Sequence, residues 1–183
     1  MAKQRVIIIG GGIGGLALGL TLHQIGVRCE IYESVRNLKP LGVGINLQPN
    51  AVRELYELGI GPEVLDTVGL PVKEWALVGM QGQDIYSEPR GNFAGYNWPQ
   101  YAVHRGEFHM ALYHRFLDMV GADAFHSGHR AKYYRVEEAG GASVTFETST
   151  GTVTETADLV IAADGIHSAI RAQMYPNQPP IHW

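Results

Sequence analysis

Apolar and polar positions alternate along the chain with two different periods, and these divide it into predicted elements. Arg5-Val-Ile-Ile-Ile9 is a continuous β-branched run of the kind carried by a strand buried on both faces. From Ile13 to about Gln24, Ile13, Leu16, Ala17, Leu18, Leu20 and Leu22 leave almost no polar face, with Ile25 just beyond. This predicts a helix that needs cover on more than one side, ended by Gly26. Val27 to Glu33 predicts a second strand, and Ser34 to Asn46 an irregular stretch. Asn50 to Leu58 has Ala51, Leu55 and Leu58 on one helical face and Gly59 as its stop. From Val72 to Glu88 the period changes to two. Trp75, Leu77, Ile85 and Tyr86 flank a Gly79–Asp84 turn and predict a β-hairpin, followed by a loop over Arg90 to Pro99. Arg105 to Val120 predicts an amphipathic helix with Phe108, Leu112, Phe116 and Met119 along one side. Val144–Thr148 and Thr152–Ala157 alternate around Thr150-Gly151 as a second hairpin. Asp158 to Ala163 reads as a second buried strand of parallel type, with a short helix after Ser168 and a linker over residues 176–183.

Composition narrows the function classes. At 183 residues, 45% hydrophobic and 17% charged, the chain suffices for one good-sized domain. Its net charge is −4, with no basic block, so nucleic acid is not an expected partner. Glycines at 10, 11, 12, 14, 15 and 19 interrupt the apolar N-terminus, and no span of membrane length exists, so no membrane association and a cytoplasmic location are expected. The single cysteine, Cys29, falls in a predicted buried strand and reads as an inert core thiol. Among the eight histidines, His104, His109 and His114 are spaced by five and diverge on a helix, while His126-x-x-His129 has no carboxylate near it in sequence. No metal site is expected. No Gly-x-Ser-x-Gly elbow or other activated nucleophile is seen, so no catalytic side chain is assigned.

The residues between the first two strands carry the chemistry. Gly10-x-Gly12-x-x-Gly15 follows a strand and opens a helix, and Glu33 ends the next strand at roughly the 20-residue offset of a ribose-binding acid. Gly10 permits a tight turn, Gly12 carries no Cβ to hold a pyrophosphate off the backbone, and Gly15 lets the helix approach the strand. The helix N-terminus offers unpaired N–H groups to phosphate. The fingerprint alone does not separate NAD from FAD. Gly42-Val-Gly44 further on fits either a close backbone approach to a ligand or a plain turn. Trp75, Tyr96, Trp98 and Tyr101 fit either an aromatic-substrate pocket or the packing of the hairpin.

The opening fingerprint, Gly42-Val-Gly44-Ile-Asn46, Val103-His-Arg105-Gly-Glu-Phe and Ala163-Asp164-Gly165-x-x-Ser168-x-x-Arg171 occur in this order. The chain thereby resembles the single-component FAD-dependent aromatic hydroxylases of the p-hydroxybenzoate hydroxylase type. The strings Pro40–Pro49, Ser87–Gly91 and Pro99–Glu107 look most like the phenazine-modifying monooxygenases. The resemblance implies an α/β fold: a Rossmann-like FAD-binding domain with a parallel sheet and β-hairpin excursions. It implies that Gly10, Gly12, Ile13, Gly14 and Gly15 hold the FAD pyrophosphate, with Glu33 and Ser34 at the adenosine ribose. Val43 and Gly44 would lie against the flavin end. Arg105 would hydrogen-bond a phosphate or ribityl oxygen, and Asp164 and Gly165 would serve the phosphates and the passing nicotinamide cofactor. Arg171 would fix that turn or steer the anionic nicotinamide cofactor, and a plain surface arginine is equally consistent. The implied reaction is reduction of FAD by NAD(P)H, then hydroxylation of a small aromatic substrate with O₂ through a flavin C4a-hydroperoxide.

The family also carries a Gly-Asp cofactor motif beyond the aspartate–glycine element and a larger substrate domain, which this sequence does not reach. The chain is therefore expected to be an N-terminal portion, weakly active or inactive by itself, with the C-terminal half of the family fold missing. Residues 1–71 and 102–175 are expected to form the FAD-binding domain, 72–101 a hairpin of the substrate domain, and 176–183 a truncated linker. Surface left uncovered would favour a homo-oligomer. Two other readings stay open: a nicotinamide-binding Rossmann oxidoreductase without flavin, and a non-catalytic nucleotide-binding remnant.

Overall fold

In chain order, the elements of the computed structural model are β1 (Arg5–Ile9), α1 (Ile13–Gln24), β2 (Arg28–Glu33), β3 (Gly44–Leu47), α2 (Pro49–Glu57), α3 (Pro62–Val68), β4 (Gly69–Val72), β5 (Glu74–Val78) and β6 (Asp84–Pro89). They continue with β7 (Gln100–His104), α4 (Arg105–Met119), β8 (Phe125–Ser127), β9 (Arg130–Val136), β10 (Ala142–Thr148), β11 (Gly151–Ala157), β12 (Leu159–Ala162) and α5 (Ala169–Met174). The structure describes residues 4–179, so the last four positions of the expected linker lie outside the described residues. Two compact units form, one from Met1–Leu38 with Leu112–Trp183 and one from Lys39–Ala111.

The first unit is built on a four-stranded parallel sheet of order β12-β1-β2-β8. Val6, Ile7, Ile8 and Ile9 of β1 are all buried, as a central parallel strand requires. An antiparallel sheet, β11-β10-β9, packs beside it. The core between them joins Ile7, Ile9 and Tyr32 to Val144, Phe146, Ala157 and Ile170. Helix α1 buries Gly15, Leu16, Gly19 and Leu20, while Ile25 is exposed. A Cβ on Gly19 would stand 2.6 Å from the Phe116 ring, so this glycine sets how closely the chain can pack there. Arg5 pins the start of β1. Its guanidinium donates to Glu30 and Glu155, each at 2.9 Å, and to the Thr156 carbonyl at 2.7 Å.

The second unit holds a three-stranded antiparallel sheet, β3-β7-β4, and the β5-β6 hairpin. Tyr101 is buried on β7, and its hydroxyl donates to Asp66 at 2.7 Å. Desolvation and that bond push the phenol well above its usual range.

The mixed α/β architecture, the parallel pairing of β12 with β1, the two hairpins and the helices at 13–24, 49–57, 105–119 and 169–174 agree with the sequence reading. Other expectations need correction. Residues 44–47 are not irregular but form β3, which has a partner only because β7 lies in the stretch just before α4. β12 is parallel but not buried, because it is the edge of its sheet among the described residues, and Leu159 is 52% exposed. Met119 lies on the exposed side of α4. The second compact unit, residues 39–111, is held together by the pairing of both β3 and β4 with β7.

Candidate functional site

In the first unit the strand–turn–helix junction is built by backbone. Gly10 has φ 103°, a left-handed conformation, and its N–H donates to the Tyr32 carbonyl at 2.8 Å. A Cβ on Gly15 would fall 1.9 Å from the Gly10 carbonyl oxygen, so only glycine allows this approach of α1 to the turn. Gly12 is the N-cap of α1, makes no side-chain cap bond, and is followed by no acid in the first turn. The N–H groups at this helix end are therefore left for an external acceptor. Cβ positions at Gly12 and Gly14 meet nothing within 4 Å. Ile13 and Gly14 stand in the first turn.

Glu33 closes the other side. It is buried, and its Oε2 accepts the Gly11 N–H at 2.6 Å. Its Oε1 accepts the Ser34 hydroxyl at 3.0 Å and the Val35 N–H at 2.7 Å. A carboxylate has about four acceptor sites. Three serve the protein here, which leaves room for a ribose hydroxyl. Opposite, Asp164 Oδ1 accepts the Ser168 hydroxyl at 2.6 Å, and Ser168 Oγ in turn accepts the Arg171 N–H at 2.9 Å as the cap of α5. Gly165, with φ 77°, makes the turn, and the Arg171 guanidinium donates to the Ile166 carbonyl across it. Arg171 thus braces the turn, one of the roles open to it.

Gly10, Gly12, Glu33, Ser34, Asp164 and Gly165 line one cavity of about 650 Å³. The structure adds Tyr32, His129, Arg130, Lys132 and His167 to its wall. Sequence reasoning missed 129–132 because β8 and β9 were not read. The register of β9 against β10 shifts between Thr145 and Phe146, and this breaks the period-two pattern. His126 has a carboxylate neighbour in space, Glu30 Oε2 at 3.3 Å, and its ring stacks on Tyr32 at 4.4 Å. Arg5 holds the Glu30 carboxyl below its usual range. No group of three metal-ligating side chains occurs among the described residues. Cys29 is buried, and burial pushes its thiol up to about 11.

In the second unit Arg105, Val43 and Gly44 form their own cluster. The Arg105 N–H donates to the Val43 carbonyl at 2.9 Å, and Gly42, with φ 137°, lies with its Cβ position 3.3 Å from the Arg105 side chain. A Cβ on Gly44 would meet only the Val103 carbonyl, at 3.9 Å, so protein packing does not demand glycine there. Val43 is 75% exposed. The four aromatic residues divide: Tyr96 and Trp98 line a cavity, Tyr101 is core, and Trp75 packs against Tyr86 on the hairpin. His104 Nδ1 accepts the Glu107 N–H at 3.2 Å, the work of a helix cap.

A parallel strand, a glycine turn, an uncapped helix N-terminus and a strand-end acid around one cavity define a dinucleotide-binding domain. The chain belongs to the FAD-binding domain family, which matches residues 3–178. Phenazine 1,6-dicarboxylic acid hydroxylase PhzS of Lysobacter antibioticus is 39% identical over 179 residues, covering 96% of this chain and 44% of that protein. The 3-amino-4-hydroxybenzoate 2-monooxygenase of Streptomyces cremeus is 33% identical over 181 residues, 96% of this chain and 43% of its own length. HpxO of Klebsiella pneumoniae, solved with FAD and uric acid, superposes with a TM-score of 0.76 at 30% identity, over 97% of this chain and 43% of that one. The chain thus spans less than half the length of these relatives. No helix among the described residues is long and apolar enough to cross a membrane.

Proposed function

We propose that this chain is the cofactor-binding part of an FAD-dependent, NAD(P)H-using monooxygenase that hydroxylates a small aromatic substrate with O₂. The observation that carries the reading is the cavity bounded by Gly10, Gly12, Glu33, Asp164 and Gly165 in a chain of the FAD-binding family. The residues fit the cofactor. The bare N-terminus of α1, with open space at Gly12 and Gly14, suits a pyrophosphate, and the remaining acceptor capacity of Glu33 suits a ribose. Asp164 and Gly165 serve the phosphate side, with Ser168 and Arg171 holding their turn. Val43, Gly44 and Arg105 serve the flavin end, an assignment supported by the open Cβ position at Gly44 and the exposed Arg105 side chain. Bound FAD would supply the redox and oxygen-activating chemistry that no side chain offers, while the protein holds, orients and shields it.

The cofactor-binding positions fall in residues 1–71 and 102–175. The 72–101 hairpin is assigned to a substrate-binding layer, supported by the exposure of Trp75, Leu77, Ile85 and Tyr86. These exposed apolar side chains would drive self-association when uncovered. A buried, unpaired Cys29 accords with a reducing cytoplasm. Alone, the 183-residue chain is expected to bind FAD yet turn over NAD(P)H slowly or not at all.

Titration with FAD and with NAD⁺, followed by flavin fluorescence and calorimetry, tests the reading. Saturable FAD binding in preference to NAD⁺ supports it. Tight NAD⁺ binding without FAD binding overturns it in favour of a non-flavin oxidoreductase.

A further inference from the structure

A cavity of about 680 Å³ in the 39–111 unit shares no residue with the cofactor positions assigned above. Its wall holds two guanidinium groups, Arg53 and Arg90, and two aromatic rings, Tyr96 and Trp98, with the carboxamides of Gln48 and Asn50 at the start of α2. The Arg53 guanidinium lies over the Trp98 ring, 5.8 Å from its centroid. It places Nε and Nη2 on the same oxygen of Glu54 and makes no other hydrogen bond among the described residues. Arg90 pairs through Nη2 with Glu88, which also lines the cavity. Each guanidinium has five N–H donors in a flat fork, so each keeps donors for an incoming acceptor. Tyr96 is 61% exposed.

Flat aromatic walls beside guanidinium forks select one ligand chemistry. A bare phosphate would use the cations but not the rings. A neutral arene would use the rings but leave the remaining N–H donors of Arg53 and Arg90, beyond those held by Glu54 and Glu88, unanswered. We infer that this cavity binds a planar aromatic carboxylate, its ring stacked on Trp98 and Tyr96 and its carboxylate held by Arg53 and Arg90. The volume suits a ligand of one to three fused rings. Binding is independent of the cradle, so it is expected with or without FAD.

The test is an NMR titration of the 183-residue chain, following the Trp98 indole N–H, assigned with Trp98→Phe. 1-Naphthoate, its neutral counterpart 1-naphthamide and inorganic phosphate are the probes. The expected result is a saturable naphthoate shift with Kd on the order of 0.1–1 mM. Naphthamide should bind about tenfold more weakly or worse, and phosphate should not compete. Arg53→Gln and Arg90→Gln should each weaken naphthoate about tenfold, with Arg53→Lys, which keeps charge but loses the fork, in between. No saturable shift, equal binding of acid and amide, or displacement by phosphate each overturns the assignment. The acid–amide comparison uses the unaltered chain and so decides even where a variant fails to fold. FAD titration of the same sample keeps the two readings distinct: FAD binding without naphthoate binding sinks this inference and leaves the cofactor reading standing.

Discussion

The three glycines at the start of α1 look alike in sequence, yet alanine should affect them in three different ways. At Gly15 the added Cβ would lie 1.9 Å from the Gly10 carbonyl oxygen, well over 1 Å inside ordinary contact. The helix must retreat from the turn, at about 1–3 kcal/mol for the overlap, offset by roughly 0.5–1 kcal/mol of helix propensity. At Gly14 nothing lies within 4 Å, and the site is exposed, so the propensity gain should appear alone. At Gly12 the backbone is extended, φ −74° and ψ −178°, which alanine adopts freely, and again nothing lies within 4 Å. Gly12→Ala should therefore leave stability almost unchanged. The methyl group nevertheless projects beside the N–H groups proposed to hold pyrophosphate, and FAD affinity should fall on the order of 10–100-fold, roughly 1.4–2.7 kcal/mol. Thermal melts without cofactor and FAD titrations separate the effects. The expected order of Tm is Gly14→Ala highest, wild type and Gly12→Ala together, Gly15→Ala lowest. A Gly12→Ala protein that binds FAD like wild type would refute the assignment of this turn. One that melts as low as Gly15→Ala would refute the geometry behind it.

Two further outcomes follow from the polar contacts. Glu30 has a lowered carboxyl pKa because Arg5 favours its charged form, so its contribution is present above the unfolded carboxylate range and is lost as pH falls through the lowered folded value. Glu30→Gln should cost about 1–2 kcal/mol at pH 7 and progressively less below about pH 4, read as converging urea midpoints. Ser168→Ala removes the α5 cap and the hydroxyl that steadies Asp164, and should lower stability by about 1 kcal/mol while weakening FAD binding. Unchanged FAD affinity would detach Asp164 from the cofactor.

Legibility in the sequence followed burial. The β1 run, the glycine turn and Glu33 were readable because each is forced by a strong local requirement: a strand buried on both sides, a positive φ, a strand-end acid. β3, β4 and β7 were missed because they are four or five residues long and stabilised by pairing with strands distant in sequence. β9 was missed for its register shift, and with it went Arg130 and Lys132 on the cavity wall. The ribose role expected of Glu33 came from its offset alone, which gives no sign that most of its acceptor capacity serves Gly11, Ser34 and Val35.

That last arrangement bears on how quickly a ligand is captured. The Gly11–Glu33 bond ties the turn to the end of β2 through protein atoms alone, so the cradle acquires its shape when the chain folds. Little ordering then remains for the binding step. In stopped-flow mixing, the observed association rate should rise in proportion to FAD concentration, without the plateau that a slow reshaping step imposes. Glu33→Gln places an N–H₂ against one of these backbone donors and should introduce that plateau.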